Sequence, residues 1–588
     1  MNETSLNTFD KVLRDILIHS YGNDNIAILN TINSSNSNFE IPKNRQHGDL
    51  TSNFAMMHSK IFSINPRDLA NNIMNGFLEH QDQLFIKDIQ IAGPGFINFY
   101  LKEEFWQKSL SQVFQSIDNY GFSNIGKNEN VNVEYVSANP TGPLHIGHCR
   151  GAVIGDVIAS VYEKMGYNVT REYYVNDAGG QIDQLVKSVS LKYQLKISLI
   201  DSINPDQITY NGEYITPIVD ELYATYGDKL LQQDNYSAII KAKSISYILN
   251  LIKDDLSKVN IKHDLFFSEQ TLINSGEIDE SLELLKKKNL IYIGKLPQPK
   301  KAIETEHDER EQELFKSTTF GDDMDRAISK EDGSHTYFAS DIAYHNNKLN
   351  RGFNKMINIW GADHSGYVKR MKGAVDALSD NKANIDILLC QLVKLLRDNK
   401  PVKMSKRNND YITIGEVVDE VGSDPIRFMM IFRKSDAPLD FDFVKVCEKS
   451  KENPVFYVQY AFARINSVFR NWSHLNEYNF LDYIKSHSTN FNELTHESEI
   501  DLIKKISYFP NLLINVVETN DIHKIAYYLH EIASDFHSLW NLGNDNTSMR
   551  FISENENITH QRMVLLYVIS KILESGLDLL GVAHPEKM

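Results

Sequence analysis

Cysteine is nearly missing from this chain: its 588 residues hold three, Cys149, Cys390 and Cys447, widely scattered. That excludes a disulfide framework and a zinc ribbon, and it fits a reducing cytoplasm. Long apolar runs are missing too. No stretch of about 18 apolar residues occurs, so the sequence offers nothing to span a bilayer. The opening Met1-Asn2-Glu3-Thr4 has neither a basic segment nor an apolar core, and does not read as a secretory signal. Positive charge is in deficit: 61 Lys and Arg against 78 Asp and Glu leave a net charge of −17. Composition therefore gives no support to binding a polyanion, although a local basic stripe can still neutralise phosphates. With 42% hydrophobic and 24% charged residues the chain is ordinarily globular. It is too long for one core and is expected to form about three or four domains.

The informative stretch runs from Val131 to Asp156. Val131, Val133 and Tyr135 alternate with polar neighbours as a strand does. Asn139-Pro140-Thr141-Gly142-Pro143 ends it, because proline removes ladder donors and glycine marks the turn. Val153, Val157 and Val161 then recur at helical spacing. His145 and His148, with Gly147 between them, fall where strand gives way to helix. In open α/β sheets that carboxyl-end crevice takes ligands, and the free N–H groups of a helix start suit phosphate. A second candidate lies far downstream, Lys403-Met404-Ser405-Lys406-Arg407. Taken singly, neither is decisive. Two histidines at a turn are often structural, and a charge run is usually a solvated loop.

Together and in this order they resemble the two signatures of class I aminoacyl-tRNA synthetases. The likeness narrows to the arginyl-tRNA synthetases of bacterial type, through Val133 to His148, Glu172 to Gly179, Tyr337 to Tyr344 and Trp360 to His364. It continues through Asp436 to Phe443 and the terminal Pro585 to Met588, covering nearly the whole chain. In many members of that family the second signature has decayed; here it is intact. The resemblance implies ATP-dependent ligation of L-arginine to tRNA(Arg) through an arginyl-adenylate, with Mg2+ on the phosphates. A cytoplasmic monomer with no membrane association and no protein metal site is expected.

The fold implied is α/β: a Rossmann-like parallel-sheet catalytic domain between an N-terminal α/β domain and a C-terminal all-α bundle. The boundaries expected are 1–115, 116–440 with an insertion at about 185–300, and 441–588.

Adenylation places developing charge on phosphate oxygens, so catalysis is mainly positioning and electrostatics. His145, His148, Lys403 and Lys406 are the expected catalytic groups. Pro140, Gly142, Gly147, Gly361, Asp363, His364, Met404 and Ser405 join them in holding ATP. A guanidinium calls for planar acceptors, a carboxylate above all. Tyr337 and Asp341, four apart, would share one helix face. They match the family's arginine-binding pair, with Glu134 and Asn139 on the other side and Asn176 and Asp177 as weaker candidates. For tRNA the candidates are Phe96, Asn98 and Phe99 in the N-terminal domain, and Tyr457, Tyr460 and Arg464 in the bundle, since aromatics and guanidinium groups stack on unpaired bases. The competing reading places these aromatics in cores. Another class I synthetase and a silent tRNA-binding relative are the alternatives. Acidic Glu134 and Asp341 disfavour a glutamate substrate, and the paired signatures disfavour silence.

Overall fold

The computed structural model describes residues 5–22, 37–42, 44–296, 311–402, 412–476, 479–486 and 490–588. Two units make up the chain: Met1–Lys127 with Lys164–Gly166 and Glu448–Met588, and Asn128–Glu163 with Tyr167–Cys447.

In the first unit, β1 (Leu50–Ser52), β2 (Ile86–Ala92) and β3 (Phe96–Leu101) form an antiparallel sheet in the order β1-β3-β2. The Ser5–Tyr21 helix carries Leu6, Phe9, Leu13, Ile16 and Leu17 at helical spacing, and all five are buried. Phe9 and Phe77 meet Phe99 with ring centroids 5.5 and 4.9 Å away. Phe99 is thus a core residue, fully buried, and the expectation that it stacks on a tRNA base is corrected. The reason is the pleat. Side chains alternate along a strand, so Ile97 and Phe99 face inward while Phe96 stays exposed. Asn98 is also buried, and its Oδ1 accepts from the Thr51 hydroxyl at 2.8 Å.

Four long helices, Pro454–Asn476, Glu497–Thr519, His523–Asp545 and Glu556–Leu580, build the rest of this unit. The Glu497–Thr519 helix joins the N-terminal part. Ser507 meets Ser109 at 2.7 Å, Lys504 pairs with Asp49 at 2.7 Å, and Arg45 reaches Glu497 and Asp501. Within the bundle, Arg562 donates to Glu499 at 2.7 Å and to the Ser548 and Arg550 carbonyls. Both charged groups are buried.

The second unit centres on a parallel sheet of β4 (Asn130–Glu134), β5 (Asn168–Val175), β6 (Leu265–Ser268), β7 excluded by its place in a separate three-stranded sheet (Ile291–Gly294), β10 (Lys355–Gly361) and β11 (Asn384–Cys390). That smaller sheet pairs β7 with β8 (Gln312–Phe315) and β9 (Arg326–Ala327). In the main sheet the order is β11-β10-β4-β5-β6. The chain leaves β4 toward β5 on one side and returns to β10 on the other, so a crevice opens at the carboxyl ends of β4 and β10. The stretch read as an insertion, about 185–300, needs correction, because it contains β6, an edge strand of this sheet. Four residues are too few to show a periodicity. Last come β12 (Val393–Arg397), β13 (Lys400–Pro401) and β14 (Leu439–Asp442), in the order β13-β12-β14. Among the described residues no helix is long and apolar enough to cross a membrane.

Arg562→Met would leave the Glu499 carboxylate buried without its cation. Stranding a buried charge costs about 3–5 kcal/mol. A lower melting temperature by circular dichroism is expected, with partial recovery in Arg562→Met/Glu499→Gln; an unchanged melt would show that the pair carries no stability.

Candidate active site

Beyond Glu134 the chain turns sharply: Val136 and Ser137 both sit at positive φ, 69° and 42°. Ser137 Oγ donates to Glu134 at 3.1 Å and accepts from the Tyr174 N–H at 3.1 Å, locking the turn to β5. The Tyr173 and Tyr214 hydroxyls then hold the Ala138 and Thr141 carbonyls, each at 2.7 Å. This delivers His145 to the start of the Ile146–Lys164 helix. Gly147 is required here, since a Cβ would stand 2.8 Å from the His145 ring. Farther along, Gly155 leaves room for the Tyr135 ring, which would be 2.2 Å from a Cβ.

The His145 and His148 rings stack with centroids 3.9 Å apart. The Gly147 N–H donates to His145 Nδ1 at 3.1 Å, and the His145 N–H to His148 Nδ1 at 3.3 Å. In the neutral form each ring then carries its proton on Nε2. The pair can donate two N–H groups without the desolvation cost of full cations.

Lys403, Met404, Ser405 and Lys406 lie outside the described residues. Beyond them, the Ile412 carbonyl accepts from the Ile146 N–H at 3.2 Å, and Thr413 bridges His145. Thr413 then caps the Ile414–Val421 helix in a capping box with Glu416. Gly361 ends β10, and Asp363 and His364 follow in an exposed 3-10 turn, Ala362–Tyr367. Pro140 is buried and Gly142 lies against the Tyr214 ring.

Carboxylates dominate the crevice wall. The Tyr337–Asn350 helix, capped by Thr336, presents Asp341, Tyr344, His345 and Lys348 inward, and Arg351 follows at its C-cap. Lys348 Nζ donates to Glu134 at 2.6 Å, deep in the core. Arg351 takes Glu172 in bidentate fashion at 2.7 and 2.9 Å, while Tyr344 and Asn132 complete its acceptors at 2.7 Å each. The His345 side chain bonds the Asp341 carbonyl at 2.8 Å, and burial holds its pKa down to about 3. These groups are mutually satisfied. Asp341 and Glu269 accept hydrogen bonds, from Tyr367 and from Ser340 and Asn176, but among the described residues neither is paired with a cation of its own. Burial first, then neighbouring Glu134 and Glu269, pushes Asp341 up to about 7 against the Tyr367 hydroxyl bond and Lys348. Burial also raises Glu269.

Glu269 was not among the residues singled out above, being hidden behind the short β6. Tyr337 is exposed, its hydroxyl beside Gly179. Asn139 is bonded through Nδ2 to Gln181 at 2.8 Å. Asp177 is engaged structurally, accepting from Ser268 and from the Gln270 N–H at 2.6 and 2.9 Å. Asn176, with its amide turned to satisfy both neighbours, donates to Glu269 at 2.9 Å.

In the other unit Tyr457, Tyr460 and Arg464 are half-buried along the Pro454–Asn476 helix. His537 stacks near Tyr457 and Tyr460 at 4.5 and 5.6 Å, and the Arg464 guanidinium lies between Tyr460 and Trp540 at 4.8 and 4.5 Å. The three form a ladder against the His523–Asp545 helix rather than a free stripe.

Three family descriptions match the chain end to end. Arginyl tRNA synthetase N terminal domain covers residues 9–101, tRNA synthetases class I (R), catalytic domain covers 109–430, and DALR anticodon binding domain covers 458–588. The arginine–tRNA ligase of Brucella anthropi is 46% identical over 554 residues, 93% of this chain and 94% of that protein. That of Parvibaculum lavamentivorans is 46% identical at the same coverage. The fold is shared with Thermus thermophilus arginyl-tRNA synthetase, at a TM-score of 0.70 and 17% identity over 99% of this chain and 100% of that one. With its paired imidazoles at a strand-to-helix turn and an acid-lined crevice beside them, the chain belongs to the arginyl-tRNA synthetase family.

Proposed function

We propose that the crevice binds L-arginine and ATP, forms arginyl-adenylate and passes the arginyl group to a terminal ribose hydroxyl of tRNA(Arg). The observation that carries this is the surplus of acid. Lys348 and Arg351 are committed to Glu134 and Glu172, so a cationic substrate is the partner that Asp341 and Glu269 still need. A guanidinium supplies charge and a planar donor fork together. Glu134, already paired, keeps acceptor capacity for the substrate's ammonium group, and Tyr337 and Asn139 flank it.

His145 and His148 would donate their Nε2 protons to phosphate or ribose oxygens, with Pro140, Gly142 and Gly147 allowing close backbone approach. Gly361, Asp363 and His364 would border the nucleotide from the end of β10. Lys403 and Lys406, with Met404 and Ser405, would meet the departing pyrophosphate. The chain leaving that segment is bonded to the first signature at Ile412 and Thr413, which supports the pairing. Mg2+ would enter with ATP and offset the charge of its phosphates. Three scattered cysteines suit a reducing cytoplasm, and the enzyme is read as a monomer there.

Charging of total tRNA with each of the twenty amino acids tests this reading: arginine alone should be esterified. Asp341→Asn should weaken arginine by about 2–5 kcal/mol and leave ATP binding nearly unchanged. Another preferred amino acid, or intact arginine use by the variant, would refute it.

Phe96, at the exposed end of β3, remains the accessible aromatic of the N-terminal domain for tRNA, with Asn98 beside it on the same face. Tyr457, Tyr460 and Arg464 are read as anticodon contacts. Their ladder leaves ring edges for bases while the bundle fixes the rings. Tyr460→Ala should lower tRNA affinity by about 1–3 kcal/mol. The loss should shrink on a tRNA altered in the anticodon loop; an equal loss on both tRNAs would make Tyr460 purely structural.

A further inference from the structure

Asp341 as the partner of the guanidinium is taken over from the reading above, and a second residue acts through it. Tyr367 closes the 3-10 turn that follows β10, and its hydroxyl donates to Asp341 Oδ2 at 2.5 Å. The ring is held on three sides. Phe338 and Trp360 lie 5.9 and 5.8 Å from it, both close to edge-on, and the Arg370 guanidinium covers it at 4.9 Å. A ring so constrained fixes the hydroxyl oxygen beside Asp341.

Asp341 is faced by Glu134 from β4, Tyr174 from β5, Glu269 beyond β6, Lys348 from its own helix and Tyr367 from the turn. The two carboxylates oppose its ionisation. Lys348 favours it from a distance, being committed to Glu134. The Tyr367 hydroxyl favours it directly, because a hydrogen bond to the charged form stabilises that form. One bond on Oδ2 leaves the carboxylate acceptor sites for a guanidinium, since an ionised carboxylate offers about four.

We propose that Tyr367 is the positioning residue of the arginine pocket: its hydroxyl donates to Asp341, favours the carboxylate over the acid, and ties it to the turn bearing Asp363 and His364. Arginine then meets a carboxylate already set by the segment that borders the nucleotide. Removing the hydroxyl alone should let Asp341 take up a proton at higher pH, and protonated Asp341 cannot pair with a guanidinium.

The test is the pH dependence of the arginine KM in tRNA charging, between pH 6 and 9, for the full-length enzyme, Tyr367→Phe and Asp341→Asn. Phenylalanine keeps the ring against Phe338, Trp360 and Arg370. In the unaltered enzyme KM should rise as pH falls through about 7, where Asp341 titrates. In Tyr367→Phe the same rise should begin about one pH unit higher, a roughly tenfold larger KM on the acid side. The alkaline plateau of KM and the melting temperature should stay near those of the unaltered enzyme. Asp341→Asn should raise KM at every pH and abolish the rise. If Tyr367→Phe instead loses kcat and thermal stability with no displacement of the pH profile, the hydroxyl is structural and the proposal fails while Asp341 keeps its role. If Asp341→Asn retains both the normal KM and its pH profile, the arginine reading fails and the Tyr367 proposal falls with it.

Discussion

The Tyr337–Asn350 helix buries a polar face, and the second unit is arranged around that constraint. Asp341, Tyr344, His345 and Lys348 recur at spacings of three and four, where a soluble protein ordinarily places leucine. Each buried charge there must be matched or it raises the energy of the fold. Lys348 meets Glu134 at the end of β4, and Arg351 meets Glu172 on β5. The register of β4 with β5, which pairs Glu134 with Glu172, sets these two acids side by side for two cations one helical turn apart. One turn into the same helix, Asp341 is an acid with no such cation among the described residues. The helix therefore clamps the sheet, and in the proposed reading it is also the wall of a site for a cation.

The imidazole pair depends on the same sheet from the other direction. Residues beyond Glu134 are steered by the Ser137 bonds into a turn that no strand could continue. Arg150, three residues into the buried part of the following helix, donates to the carbonyls of Gln391, Lys434 and Ala437 at 3.1, 2.9 and 2.7 Å. Arg427 reaches Asp156 on that helix at 2.6 Å. One helix thus gathers the end of β11 and the chain leading into β14, next to the turn that carries the imidazole pair.

Much of this was legible locally. A strand that ends in Asn-Pro-Thr-Gly-Pro and passes into a helix is written in consecutive residues, as is the all-helical C-terminal region. Tyr337 and Asp341, four apart, share one face if their segment is helical, as it is; their choice as a pair rests on the resemblance. What escaped was set by partners distant in sequence. Glu269 matters because a four-residue edge strand brings it beside Asp341, and four residues carry no period. That Glu134 is paired depends on Lys348, 214 positions away. The misassignment of Phe99 was avoidable, since strand alternation already sends Phe96 and Phe99 to opposite faces. The half-burial of Tyr460 was not, because it depends on His537 from a second helix and on the Arg464 guanidinium that covers its ring.

If the acid surplus is what selects the substrate, arginine binding must displace a proton. Asp341, pushed up to about 7, is in part protonated at neutral pH and must ionise to receive a guanidinium. Calorimetric titration of the enzyme with arginine at pH 7, in buffers of different ionisation enthalpy, reads this directly. Net proton release on arginine binding, vanishing in Asp341→Asn, is the result predicted. A binding heat independent of the buffer would contradict it.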